Sequence, residues 1–471
     1  TAITSVNGVY RSMWTAGWST TANTHQCFGI AAYNLALDCM ADDLIMQSQG
    51  NGWFWGDHCY NVKSNYTSSA FRSYDVWYAN YKWIANVNYI IDAEPEMAGT
   101  EADVAYVAGQ AYAIRALCYL NLATWFSRAP YNSLTGASRW NEPCVPVYTT
   151  GTSIDTGGQP RESLRTVYGR IDQDIDRAIE LLEKARETTL AENNKSHINL
   201  YVALGIKSRA CLAEGDWDGA FKAAKRVIDE GGYAVGTKSD LTGGMNSLDK
   251  QNVMWGAGIQ VADQAGGYAG FFTHMDNKEG AYAKSAPKLI SKQLYNRISA
   301  TDIRRDWWDP SDKESPYVSK KFSFANVASF LGDYIYMRVE EMYLIEAEAT
   351  AQSNIVAARE LLNEFMKYRF TDGSYDCSER TPTLKSFIEE LILQKRIEFW
   401  GEGIIMFDLK RLDMSMTRGY KGTNSPSDYR LNTDGRAPHW NFVIPRGEIQ
   451  NNPAVVNNPD PSGKITPWTD K

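Results

Sequence analysis

The chain has 471 residues, of which 44% are hydrophobic and 22% charged, and it carries a formal net charge of −8. No basic run is interleaved with aromatics, which excludes the electrostatic footprint of a nucleic-acid binder. No stretch of 18 apolar residues occurs, which excludes a transmembrane helix. The length suits two or three average domains, or one large domain with insertions. Only the aromatic content is unusual, with 15 Trp and 27 Tyr. These residues join a large apolar face to one polar handle, so a surplus serves either an aromatic helical core or a surface that grips ligands. The seven cysteines form no CxxC pair, and their odd number cannot be fully bridged within one chain. Cys118 and Cys211 sit in apolar helical patterns and read as small buried side chains. Five histidines without HExxH-type spacing predict no metal site, and no cofactor is expected. A start at Thr1, with neither Met nor signal peptide, reads as a processed or trimmed form.

In chain order, residues 6–46 carry a helical pattern, with Tyr33, Leu37, Met40 and Leu44 along one face. The segment QSQGNGWFWGDHCYN (47–61) fits neither a helical stripe nor a strand alternation. Its Trp53 and Trp55 must therefore be either anchors under a loop or rings used for binding. Trp77, Tyr81, Ile84, Asn88 and Ile91 mark a buried helical face, and Tyr112, Arg115, Tyr119, Leu122 and Phe126 mark another. Residues 163–185 form an amphipathic helix that pairs with 199–213, and the turn AEGDWDGA leads into AFKAAKRVI. Small residues around a short Gly-Asp turn are helical-hairpin chemistry of the tetratricopeptide kind. Residues 212–228 align without gaps on 350–366, which predicts an interrupted repeat array.

Residues 231–335 lose helical periodicity and collect Gly, Asn and aromatics, including Tyr268, Phe271, Phe272 and Tyr282. YVSKKFSFANVASFLGDYIYMRV has the alternation of a hairpin or of short strands. Helical pattern returns at 339–349 and again over 388–412, where Gly401 and Gly403 interrupt it. Arg396, Glu398, Glu402, Asp408, Lys410 and Arg411 crowd this stretch beside Phe399, Trp400 and Phe407. Glu398, Glu402 and Asp408 could be acid/base catalysts, or ion-paired clamps holding two helices at a bend. The clamp is preferred, because no His or Cys joins them.

The run from Arg396 to Arg411 resembles the C-terminal helix signature of the SusD/RagB family of surface nutrient-binding lipoproteins, close to ERRLELAGEGHRWFDLKRW. Arg396, Glu398, Gly401, Glu402, Gly403, Phe407, Asp408, Leu409, Lys410 and Arg411 match, while Ile404, Ile405 and Met406 replace the family's His-Arg-Trp. Arg338, Glu341, Tyr343, Leu344, Ala347, Glu348 and Ala349 follow the family's RxAEVYLIxAEA. Ile444, Pro445, Glu448, Ile449, Asn452, Pro453, Asn458 and Pro459 follow its terminal IPxxEIxxNPxLxQNP. Weaker matches reach back to about Asn7.

The resemblance implies a mostly α-helical protein: a tetratricopeptide-like helix-pair scaffold with a loop-rich lobe containing short strands. It is expected to be a single SusD-like unit over 1–471, with scaffold near 1–46, 70–126, 163–230 and 338–412. The ligand-binding lobe is expected near 47–69, 231–335 and 413–471. The family further implies a lipid anchor preceding Thr1, an outer-membrane surface location in a Bacteroidetes-type bacterium, and a SusC-like TonB-dependent transporter as partner. Cys27 is not a candidate for the anchor. Ligands would be oligosaccharides, less often peptides of the RagB type.

Sugars present C–H faces that pack on rings, with hydroxyls left for polar side chains. Trp53, Trp55 and Tyr60 are therefore expected to meet Tyr268, Phe271, Phe272 and Tyr282, with Asp57, Asn61 and Asn277 as polar contacts. Such an open site would bind weakly, roughly micromolar to millimolar, or about −8 to −4 kcal/mol. Two other classes stay open. An all-helical glycosidase or polysaccharide lyase would need a carboxylate pair or a Tyr/His base, with Asp42, Asp43, Asp57, Asp306 and Asp309 as candidates. A protein-interaction scaffold would bind a partner and no glycan.

Overall fold

A computed structural model describes residues 1–15, 24–60, 66–260 and 269–468. The helical pattern over 6–46 resolves into three elements: helix α1 (Ala2–Ser12), helix α2 (Ile30–Met40) and strand β1 (Leu44–Met46). Leu44 thus continues the chain into a sheet, because Ala41 turns extended and ends α2. Gly29 begins α2 at φ +79°, where a Cβ would lie 1.9 Å from the Met13 carbonyl oxygen. Only glycine permits that crossing.

Helix α3 (Trp55–His58) is a single turn. The long helices α4 (Phe71–Asp92), α5 (Glu101–Phe126), α6 (Leu164–Lys184), α7 (Leu200–Glu214) and α8 (Trp217–Glu230) pack each against the next, α3 aside. Side chains of Thr100, Ser163, Asn199 and Asp216 accept a backbone N–H and cap the last four. Gly215, at φ +75°, makes the turn between α7 and α8. The Val339–Ala351 helix packs on both α8 and the Ile355–Met366 helix. Both aligned segments, 212–228 and 350–366, therefore end in the second helix of a pair. The fold is mostly α-helical, as the resemblance implied.

The remaining strands are β2 (Val253–Ala257), β3 (Lys288–Ile290), β4 (Trp308–Asp309), β5 (Val318–Ser319) and β6 (Tyr334–Arg338). An antiparallel sheet runs in the order β1-β3-β5-β4, and β2 pairs with β6. Over 317–339 the alternation gives the short strands β5 and β6, but these do not form a hairpin with each other; β5 pairs with β3 and β4, and β6 with β2. In β1–β3, Leu44 faces Ile290 and Met46 faces Lys288. The segments after Met46 and before Lys288 consequently leave the sheet side by side. Among the described residues no helix is long and apolar enough to cross a membrane, and no cluster of His, Cys, Asp and Glu is placed to hold a metal.

The charged stretch of the sequence lies at the centre of the molecule. The Glu398 carboxylate receives Arg369 at 2.8 Å on both oxygens, Arg338 at 3.1 Å and Arg304 at 3.2 Å, all with fully buried side chains. Glu402 receives Arg338 through two 2.8 Å bonds and Lys321 through a third. Asp408 pairs with Lys395 at 2.6 Å and Arg411 at 2.7 Å, and Arg411 also reaches Glu348. Arg396 grips Asp43 through two bonds of 2.6 and 2.9 Å. Glu398, Glu402 and Asp408 are thus clamps between elements. The chain reverses at Gly401 and Gly403, at φ +78° and +75°, and the Gly403 N–H donates to Asp38 at 2.9 Å.

Burial alone would raise the Glu398 pKa, but Arg369, Arg338 and Arg304 hold it well below the usual 4.5. Its stabilising contribution is present above the unfolded-state value and is lost as pH falls through the folded one. Glu398→Ala would remove the carboxylate shared by three buried guanidiniums and lower unfolding free energy by about 3–5 kcal/mol at neutral pH, read by chemical denaturation. Asp38 behaves oppositely, since burial raises its carboxyl from 3.8 to about 8. Between these values the native state binds the extra proton, so this group lowers stability as pH rises from about 4 to about 8. Asp38→Asn should therefore gain stability relative to the parent on going from pH 5 to pH 8, measured by thermal melts across that range.

Candidate ligand-binding surface

The loop after β1 turns through Gly50 and Gly52, at φ +52° and +90°, and reaches Phe54 at φ +60°. A left-handed conformation is costly for an aromatic residue and is sustained by what surrounds it. The Phe54 N–H donates to Gln26 Oε1 at 2.8 Å. Its fully buried ring meets His274 edge-on at 4.8 Å and Phe28 at 6.1 Å. Phe54, not either tryptophan, is the anchor under the loop. Its two neighbours, Trp53 and Trp55, stay partly exposed on either side.

Trp53 stacks on His25 at 5.0 Å and 10°, and Tyr282 meets both edge-on, at 6.3 Å from Trp53 and 5.5 Å from His25. The Tyr282 hydroxyl lies 2.6 Å from His25 Nδ1, and His274 Nε2 donates to the His25 carbonyl at 2.6 Å, fixing the ring set from beneath. Burial and the Lys288 ammonium lower the His274 pKa well below the usual value, so this imidazole is neutral at physiological pH. Trp53 Nε1 has no hydrogen-bond acceptor among the described residues. Trp55 meets Tyr429 edge-on at 5.2 Å, extending the patch beyond Phe54.

Polar groups tie the loop to the segment before β3: Ser48 Oγ donates to the Ser285 carbonyl at 2.9 Å and Ser285 Oγ to Asn51 Oδ1 at 2.7 Å. Pairing of β1 with β3 is what brings these two loops together.

Other residues expected at the site lie elsewhere. Asp57 is fully buried and receives Arg72 Nε and Nη2 at 2.8 and 2.9 Å, while Arg72 Nη1 donates to the Gln26 carbonyl. Tyr60, 1% exposed, packs between Arg418, His439 and Tyr429. Phe271 and Phe272 are core residues against Phe322, Phe324 and Tyr334. None of these four has the exposed face a ligand needs. Asn277 spends its amide on the Ser319 carbonyl and the Lys288 N–H, which holds its loop on β3 and β5. Asn61 and Tyr268 fall outside the described residues.

His25 and Tyr429 were not expected. Each stands in polar sequence without periodicity, so only contact in space gives it a role. Of the carboxylates considered for catalysis, Asp43 is ion-paired with Arg396, Asp57 with Arg72 and Asp306 with Lys238 at 2.9 Å, while Asp42 accepts the Thr417 N–H and Asp309 the Ser311 N–H.

A family model described as "SusD family" matches residues 280–460, and one described as "Starch-binding associating with outer membrane" matches residues 24–212. The chain belongs to the SusD/RagB family. Among solved structures, a SusD-like carbohydrate-binding protein from Bacteroides vulgatus is 25% identical, with a TM-score of 0.80 over 96% of each chain. A SusD superfamily protein from Bacteroides thetaiotaomicron is 20% identical, with a TM-score of 0.77 over 97% of this chain and 99% of the other. Surface glycan-binding protein A from Bacteroides thetaiotaomicron, solved in complex with laminarihexaose, is 18% identical with a TM-score of 0.72 over 97% and 98%. No curated protein matches the chain.

In this SusD-like chain the signature residues Glu398, Glu402, Asp408 and Arg411 build the framework, and Trp53, Trp55, His25, Tyr282 and Tyr429 belong to no family motif. Asp57 and Arg72 tie the loop to α4 and to the Gln26 carbonyl. Breaking that buried pair with Asp57→Ala should cost about 3–5 kcal/mol, seen as a lowered unfolding midpoint. The same change should loosen Trp53, seen as raised quenching of its fluorescence in a background where neighbouring tryptophans are replaced.

Proposed function

We propose that this SusD-like protein captures oligosaccharide without catalysing its cleavage, using Trp53, His25 and Tyr282 as the main platform and Trp55 with Tyr429 as its extension. The observation that carries the reading is the partly exposed Trp53 ring, held in place by a stacked His25 and an edge-on Tyr282. A partly exposed aromatic face offers a sugar ring its C–H contacts. The laminarihexaose bound by glycan-binding protein A supports the ligand class. Association with the outer membrane is supported by the family description, and lipid anchoring with delivery to a SusC-like TonB-dependent transporter completes the reading. An open platform binds weakly alone, and closure against a transporter would raise retention by a second set of contacts.

Titration with laminarihexaose and maltohexaose, by calorimetry, tests this. At least one should bind in the micromolar-to-millimolar range, and Trp53→Ala should weaken it about tenfold or more, since base–ring stacking of comparable area is worth about 1–3 kcal/mol. Unchanged affinity in Trp53→Ala and Tyr282→Ala would remove the platform from the site. Release of reducing ends from either oligosaccharide would turn the reading toward an enzyme, and binding of peptides alone would turn it toward a RagB-type ligand.

A further inference from the structure

Arg418 is 1% exposed, and every bond its guanidinium makes among the described residues ends on a backbone carbonyl. Nε donates to Ala41 at 3.1 Å, Nη2 to Cys39 and Ala41 at 2.9 and 2.8 Å, and Nη1 to His58 and Tyr429 at 2.7 and 3.3 Å. The other arginines buried as completely, Arg72, Arg304, Arg338, Arg369 and Arg411, each meet a carboxylate. Burial lowers the Arg418 pKa to about 10, so the group still carries its charge at neutral pH. A buried cation held by carbonyls alone is electrostatically unfavourable compared with a paired one. What this cation adds is position, because one rigid planar fork joins three stretches of chain at a point.

Those stretches include both carriers of the outer ring pair. His58 closes the one-turn helix that Trp55 opens, and Tyr429 ends the turn Ser427–Tyr429. The base of the loop bearing Tyr429 is closed at Arg418 itself, where Asn432 Oδ1 accepts the Arg418 and Gly419 N–H groups at 3.1 and 2.8 Å. Tyr60, 5.7 Å from the guanidinium, meets Tyr429 edge-on at 6.5 Å. Arg418 therefore fixes Trp55 and Tyr429 against each other from the interior. Trp53 is held by other means. Its ring partners are His25 and Tyr282, those of Trp55 are His58 and Tyr429, and the two sets share no member. The strip thus has two separately fastened halves.

Resting on the platform proposed above, we infer that Arg418 is the positioning residue of the outer half and that this half gives the strip its preference for longer chains. An indole face matches a pyranose ring in size, so a disaccharide on Trp53 leaves Trp55 and Tyr429 uncovered. A longer oligosaccharide gains these rings only while Arg418 holds them together.

Calorimetry with laminaribiose and laminarihexaose, and with maltose and maltohexaose, tests it on the parent, Trp53→Ala, Tyr429→Ala, Arg418→Lys and Arg418→Gln. Lys keeps the charge and Gln keeps amide donors, but neither spans all the carbonyls that Arg418 joins. Each variant is measured at a temperature where its own melt shows it folded. In the parent, the hexasaccharide should bind about tenfold more tightly than its disaccharide, as the stacking of added rings implies. In Tyr429→Ala and in either Arg418 variant that ratio should fall to near unity. Arg418→Lys placed on Tyr429→Ala should not change the ratio further.

A role in stability alone would lower the melting temperature and leave the ratio near its parent value, which overturns the assignment. So does failure of both Arg418 variants to fold. Equal affinity of the parent for both lengths, with Trp53→Ala weakening each, overturns the outer half and keeps the platform. Binding of no sugar at all overturns the platform, and the role of Arg418 falls with it.

Discussion

The fold depends on one carboxylate. Glu398 draws Arg304, Arg338 and Arg369 to a single buried point, and these arginines come from separate parts of the chain. Taking so many charges out of water is expensive, and mutual pairing together with bonds to backbone carbonyls offsets it. The value of such a network lies less in net stability than in position, because any displaced member leaves an uncompensated charge. It therefore fixes how the 384–398 helix, the 339–351 helix and the strand-rich loops meet. The glycine pair at 401 and 403 then turns the chain so that Asp408 and Arg411 form a second cluster.

From that rigid centre the candidate surface follows by short links. Arg396 holds Asp43 just ahead of β1, and Trp400 Nε1 donates to the Asp43 carbonyl at 3.0 Å. Strand β1 pairs with β3, so the loops that leave them are neighbours. Phe54 and the Asp57–Arg72 pair press the first loop down, and His274 and Asn277 fix the second. What remains outside is a strip of rings with few degrees of freedom left to lose. A preorganised aromatic strip suits weak capture of extended chains, because little ordering is required when a ligand arrives.

The two kinds of conspicuous residue thus separate cleanly. Charges packed among aromatics in the sequence are structural here: Glu398, Glu402 and Asp408 meet arginine and lysine in the dry interior. The residues with a partly exposed aromatic face, Trp53 above all, lie in stretches with no pattern. Aromatics in one loop divide by a single criterion, the direction of the backbone at Phe54. That left-handed residue buries its own ring and turns the flanking indoles outward.

The amino-acid sequence by itself determined the long helices from α4 to α8, since apolar spacing of three and four residues and the glycine turn at 215 are local properties, but over 6–46 it showed one helical pattern where the structure has two helices and a strand. It also determined that residues 47–61 and 231–335 interrupt the helical array and carry aromatics, and that the acidic residues of 398–408 stand among cations. Only the tertiary structure decided which aromatics face outward. Asp57, Tyr60, Phe271 and Phe272 share composition and loop position with Trp53 and Tyr282, and differ from them only in what packs above them. His25 and Tyr429 joined the surface through contacts spanning hundreds of residues. Burial and long-range strand pairing depend on the whole chain at once, so no local stretch could encode them legibly.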